Sequence, residues 1–248
     1  MRYFISLTYK GTAYHGWQIQ PNANTVQAEV QHALSILEQE KIELVAAGRT
    51  DTGVHAKEIF AHFDTEKQWD KAQFIFKMNS ILPKDIAVND LHLVATDFHA
   101  RFSATSRTYQ YHLTLNKNPF NIELSYHFFG KLNVDSMNEA AQYLLGEHDF
   151  SCFSKSKTQT FTNFCKIEKA VWEQVGDELV FTIKANRFLR NMVRAIVGTL
   201  IEVGEGKRDV SDFPNLIASK NRSNAGTSAP ASGLFLVQIE YPEEGFIR

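Results

Sequence analysis

The order of the periodic segments constrains this chain's fold more than any other feature. Residues 2–9 alternate Tyr3, Ile5, Leu7 and Tyr9 with Arg2, Ser6 and Thr8, the pattern of a half-buried strand. Thr25 then stands where a helix cap is expected, ahead of Val26, Val30, Ala33, Leu34 and Leu37 on one stripe. Short apolar runs at 43–47 and 59–63 read as strands. A helix is expected from Asp70 to about Leu82, stopped by Pro83, and a strand at 86–94. After residue 100 the same order returns: a strand through Tyr109, Tyr111, Leu113 and Leu115, then a helix over 135–145 closed by Gly146. Strands at 164–174 and 179–185 follow, joined at Gly176-Asp177. Next come an apolar helix from about Phe188 to Val203, a short helix from Ser211, and a last strand at 234–241. Each half therefore reads β-α-β-β-α-β. The expected class is α+β, with two split-βαβ, ferredoxin-like halves whose antiparallel sheets lie side by side. The halves are expected at 1–100 and 101–248. The repeat lies in the element order and not in the letters.

Composition removes several classes of function. With 44% hydrophobic and 22% charged residues, 248 residues suffice for one large or two ordinary domains, and disorder is excluded. No apolar run approaches the roughly 18 residues of a membrane span, and the N-terminus lacks a signal-peptide layout. Two cysteines, Cys152 and Cys165, make neither a disulfide framework nor a zinc site, and they fit reduced thiols of a cytoplasmic protein. The net charge of −2, from 26 basic and 28 acidic residues, argues against indiscriminate coating of nucleic acid. A local basic cleft remains compatible with it, and 184–194 carries four cations and no acid.

Three segments carry chemistry. The first is Gly48-Arg49-Thr50-Asp51-Thr52-Gly53-Val54-His55-Ala56, set between apolar strands. Glycines at both ends permit a tight turn and close approach to a ligand, with Asp51 at the tip and Arg49 two residues away. The same letters also fit a simple turn in which Asp51 bonds nearby backbone N–H groups. Metal binding fits poorly. His55 and His62 are seven apart on a strand, which is no helical zinc pair and predicts opposite faces.

The second segment runs from Phe98 to Tyr111. Arg101 and Arg107 offer guanidinium groups for phosphate, and Tyr109 and Tyr111 offer rings for an unpaired base. Tyr111 fits the core, and Tyr109 fits either role. The third segment is 187–198. At helical spacing Arg187, Arg190 and Arg194 fall on one side of an otherwise apolar helix, where one arginine can neutralise a carboxylate such as Asp51 and others can touch phosphate.

Together these segments resemble the tRNA pseudouridine synthases of the A type. Gly-Arg-Thr-Asp-x-Gly-Val-His-Ala at 48–56 is similar to that family's signature. Arg-Phe-Ser-Ala-x-x-Arg-x-Tyr-x-Tyr at 101–111 and Phe-Leu-x-x-Met-Val-Arg-x-Ile-Val-Gly at 188–198 resemble its second and third motifs. Tyr9-Lys-Gly-Thr-x-Tyr-x-Gly-Trp-Gln and Ala231-Ser-Gly-Leu-x-Leu also fit, and one departure is Thr52, where the family more often has alanine. The resemblance implies the pseudouridine synthase fold and isomerisation of uridine to pseudouridine at positions 38, 39 and 40 of the tRNA anticodon arm. It implies a homodimer that uses no cofactor and no metal. Asp51 is the implied nucleophile and Arg194 its partner. Tyr109 stacks on the target base, and Arg49 helps to flip it. Two other classes compete: an RNA-binding module without catalysis, which has no use for Asp51 beside phosphates, and a hydrolase using Asp51 with His55, which lacks an orienting third group.

Overall fold

A computed structural model describes residues 1–155 and 161–247. The chain forms two compact units, Met1–Ser106 with Phe235–Arg248, and Arg107–Leu234. The class is α+β with mostly antiparallel strands, as the element order predicts.

In the first unit, β1 (Arg2–Tyr9) lies between β3 (His55–Asp64) and β4 (Ile86–Val94), antiparallel to both. β2 (Val45–Ala46) pairs with β3 and is shorter than the apolar letters suggest. α1 (Val26–Glu38) and α2 (Lys71–Ile81) complete this half. The Asp70 carboxylate accepts from Gln73 N–H at 2.8 Å and caps α2, as expected. Thr25 departs from expectation: it occupies the cap position of α1, yet its buried hydroxyl has no partner. The carbonyls of Gly16 and Trp17 take over, accepting from Val26 and Gln27 N–H at 3.2 and 3.0 Å.

β3 carries a bulge. Leu7 pairs with Ile59 but Tyr9 pairs with Ala56, so β3 holds one extra residue. The alternation shifts by one, and His55 and His62 share a face instead of pointing opposite ways. Phe63, on the other face, stacks on Phe74 of α2 at 5.8 Å.

The last strand, β10 (Leu234–Glu240), counts with the first unit, not with the second half of the chain. Phe235 and Leu236 pair in parallel with His55 and Ala56, which adds β10 beside β3.

The second unit is built on β5 (Ser106–Thr114), which is antiparallel to β9 (Glu178–Ala185). β9 pairs in turn with β8 (Phe164–Val175), and β8 with β7 (Gly146–Asp149). A two-residue β6 (Tyr126–His127) runs parallel to β5. Gly176, at φ +59°, turns the β8–β9 hairpin where the Gly-Asp pair predicts it. α3 (Val134–Gln142), α4 (Met192–Gly204) and the short α5 (Phe213–Ser219) supply the helices. α4 is buried almost all round, with Arg194 and Glu202 its two half-exposed residues.

The apolar run does not make one helix from Phe188. Asn191, at φ +65°, breaks the backbone ahead of Met192. Arg187 and Arg190 therefore lie on the loop before α4 and do not share a helical face with Arg194. Cys152 and Cys165 are free and buried, and burial pushes their thiols up to about 12 and about 11.

Candidate active site

The loop 47–54 joins β2 to β3. Asp51 opens a tight turn: its carbonyl accepts from Val54 N–H at 3.1 Å, and Gly53 takes φ +77° as the third residue. Only Gly53 needs glycine's freedom, because a Cβ on Gly48 meets nothing within 4 Å. Asp51 is half-buried, and Arg49 and Thr52 are exposed. Thr52, the family departure, occupies the outward corner of the turn.

Residues 9–17 form the bed of this loop. The Tyr9 and Thr50 hydroxyls share a buried hydrogen bond of 2.8 Å. Trp17 N–H donates to the Thr50 carbonyl at 3.2 Å, and Gly53 N–H to the Tyr14 carbonyl at 3.3 Å. The approach is too close for side chains. A Cβ on Gly11 would fall 2.0 Å from the Val54 oxygen, and one on Gly16, at φ +88°, 2.4 Å from the Thr50 oxygen. The bed is tied down from behind: the Tyr14 hydroxyl donates to Asp85 at 2.6 Å, and Lys10 N–H to the Asp85 carbonyl at 2.9 Å. Burial and then Asp85 raise the Tyr14 pKa, so the phenol stays protonated. His55 is buried, and its Nδ1 accepts from Gly11 N–H at 3.0 Å. Its ring stacks on Phe235 at 4.6 Å. That bond and that stack make it a support for the bed.

In the second unit Arg107, Tyr109 and Tyr111 share one face of β5. Tyr111 is fully buried and its hydroxyl donates to the Pro230 carbonyl at 2.9 Å, the core role expected of it. Tyr109 is half-buried, with its ring edge-on to Phe188 at 5.1 Å. Arg107 donates from Nη1 to the Asn186 carbonyl at 2.9 Å, tying β5 to the loop that carries half-buried Arg187 and exposed Arg190.

Arg194 sits in the first turn of α4. Its Nε donates to the Ala229 carbonyl at 2.7 Å, while Ala229 N–H donates to the Arg194 carbonyl at 2.9 Å. The 226–230 segment thus lies against α4, and Gly198 permits it: a Cβ there would fall 1.7 Å from the Thr227 oxygen. Asn191 and Arg222 both donate to the Ser228 hydroxyl, at 2.6 and 2.9 Å, and hold the segment down.

A sequence model of the tRNA pseudouridine synthase family matches residues 5–103 and 140–242. The chain belongs to the tRNA pseudouridine synthase family. It is 53% identical to tRNA pseudouridine synthase A of Parabacteroides distasonis, over 99% of this chain and 98% of that one. It is 51% identical to the protein of that name from Bacteroides thetaiotaomicron, over 99% and 92%, and 40% identical to that of Bacillus pumilus, over 97% and 99%. As a tRNA pseudouridine synthase family member the chain is an isomerase that converts uridine to pseudouridine in tRNA.

The family membership gives the opening motif its meaning here. In the letters alone Gly11, Tyr14 and Gly16 stand out only through the family resemblance. Here they are the backbone bed on which the Asp51 turn rests, with Thr50 and His55 as its fastenings. Two glycines flanking an aromatic residue, just past the end of a strand, are the signal that could have marked a close chain crossing. Among the described residues, no three His, Cys, Asp or Glu side chains are grouped to hold a metal ion.

Proposed function

We propose that this chain isomerises uridines 38, 39 and 40 of the tRNA anticodon stem-loop, with Asp51 as the reacting carboxylate. It works as a cytoplasmic homodimer without a cofactor. The reaction breaks the bond between N1 and C1′, turns the uracil, joins C5 to C1′ and releases the C5 proton. A carboxylate can drive this by attacking C1′ or C6, or by taking a proton from the ribose. Every route needs the carboxylate ionised. A guanidinium at about 4 Å favours that form by on the order of 4 kcal/mol at an effective dielectric near 20, before desolvation. Arg194 supplies it in this reading, and the Ala229 carbonyl fixes its guanidinium plane.

Flipping the uridine out of a stem costs a few kcal/mol. Stacking on Tyr109 offsets about 1–3 kcal/mol of this, and Arg49 takes the vacated place. Arg107, Arg187 and Arg190 contact the RNA backbone.

The observation that carries the reading is the bed beneath Asp51. Two glycines without room for a Cβ and several backbone bonds hold this turn, with Asp51 half-buried and Thr52 exposed at its corner, more firmly than chain reversal alone requires. The experiment is tritium release from tRNA labelled at uracil C5. Asp51→Asn and Asp51→Ala should fold and bind tRNA yet release none. Clear turnover by Asp51→Ala removes the assignment. Replacing the uridines at 38, 39 and 40 singly by cytidine tests the positions, and release that is unchanged by all three replacements removes them.

A further inference from the structure

The first unit carries a second feature on the face that bears His55. The β3 bulge puts His62 on that same face, about seven strand residues or on the order of 20 Å from His55. α2 covers the opposite face, through Phe63 and Phe74. A turn at 99–103 packs onto His62. The His62 Nδ1 accepts from Ala100 N–H at 3.2 Å, and the His99 ring meets the His62 ring edge-on at 4.6 Å.

This turn is stiff. Ser103 N–H donates to the His99 carbonyl at 2.9 Å, His99 N–H to the Ser103 hydroxyl at 2.9 Å, and Arg101 N–H to His99 Nδ1 at 3.0 Å. The Phe102 ring it presents is 77% exposed. The His99 ring packs against that ring at 4.5 Å, and the Arg101 guanidinium lies over it at 5.6 Å. Burial, then Arg2 and Arg101, lower the His99 pKa, so His99 is neutral at neutral pH and Arg101 carries the positive charge of the turn.

An exposed aromatic ring held by a rigid turn, with a cation over it, is an arrangement that suits a nucleobase and its phosphate. The Arg101 charge beside the ring favours a polyanionic partner. The nearby Arg2 is already committed, bidentate at 2.8 Å on both bonds, to Asp64, so it adds nothing to an anion site.

We propose that Phe102, braced by His99 and flanked by Arg101, is a second contact for the tRNA, one that stacks an RNA base about 20 Å along the sheet face from the reacting loop. It anchors substrate and takes no part in bond making. The inference rests on the Asp51 reading for the position of the reacting uridine.

The test is binding of full-length tRNA by fluorescence anisotropy, with single-turnover pseudouridine formation at saturating enzyme and sedimentation on the same samples. Phe102→Ala should weaken binding between about fivefold and a hundredfold. Phe102→Trp should bind like wild type. Arg101→Ala should reduce the slope of log affinity against log salt by about one. None should change the saturated single-turnover rate. Wild-type affinity in Phe102→Ala overturns the proposal. So does a loss of affinity that accompanies a change in oligomeric state, which would make Phe102 a contact between copies of the chain. Asp51→Asn separates the two readings: it should bind like wild type and not turn over. Turnover in that variant removes the Asp51 reading while the Phe102 affinities still decide the anchor.

Discussion

At the scale of single residues, two aromatic positions carry tests of different kinds. Tyr109 is half-buried, with its ring edge-on to Phe188. Tyr109→Phe should stay near wild type in single-turnover kinetics, and Tyr109→Leu should lose roughly tenfold to a hundredfold, the cost of a stacking interaction. A Tyr109→Phe variant as inactive as Asp51→Ala would assign the hydroxyl a proton-transfer role instead. His62 bears on stability. Burial, then Arg2 and His99, lower its pKa from 6.5 to about 4 in the folded chain. The unfolded chain therefore binds a proton that the folded chain refuses. Stability is full above about 6.5 and falls as pH drops toward 4, by up to about 3 kcal/mol. Urea midpoints should follow this fall in wild type and flatten across the same window in His62→Gln. Of these residues, Asp51 and Tyr109 stand out in the sequence as candidates through unusual letters in a short span. His62's environment was not legible, because a histidine in an alternating strand reads alike whether wet or buried.

At the scale of elements, the glycines that let segments cross carry the most specific expectation. Gly16→Ala forces a Cβ toward the Thr50 oxygen and strains φ +88°. It should cost about 1–3 kcal/mol of stability, and activity should fall further than the loss of folded protein explains, because the Asp51 turn moves. Gly198→Ala pushes the 226–230 segment off α4. It should lower turnover while tRNA binding persists, which kinetics and anisotropy together can separate. Strands and helices were largely readable here from period and punctuation: Asp70 and Pro83 bracket α2, and Gly176 turns the β8–β9 hairpin. The short strands β6 and β7 show no period in the letters, and two further features lie in the backbone alone. The start of α4 hides behind continuous apolar letters, and only the left-handed backbone at Asn191 reveals the break. The β3 bulge has no letter of its own, since one extra residue in an apolar strand changes facing without changing composition.

At the scale of the whole molecule, a chain of net charge −2 must bind polyanionic RNA through local cations. Affinity should fall as salt rises, and Arg187→Ala or Arg190→Ala should each reduce that salt slope if the residue touches phosphate. Both stand on a loop rather than on α4, Arg190 exposed and Arg187 half-buried, so Arg190→Ala should be the one with little cost to folding. Because the isomerisation transfers neither electrons nor phosphate, dialysis against a chelator should leave turnover intact. A loss restored by added magnesium or zinc would count against the cofactor-free reading.

The place of β10 also sets an order of events during synthesis. The second unit is one uninterrupted stretch, Arg107–Leu234, whereas the first waits for Phe235 and Leu236 to reach β3. The stretch made later can therefore close on its own, while the edge of β3 beside His55 stays open until Phe235 and Leu236 reach it. An open strand edge recruits other strands. A chain truncated after Leu234 and released should thus be protease-resistant in its second half and prone to associate through its first. Restoring β10 should abolish the association and leave the protease resistance in place.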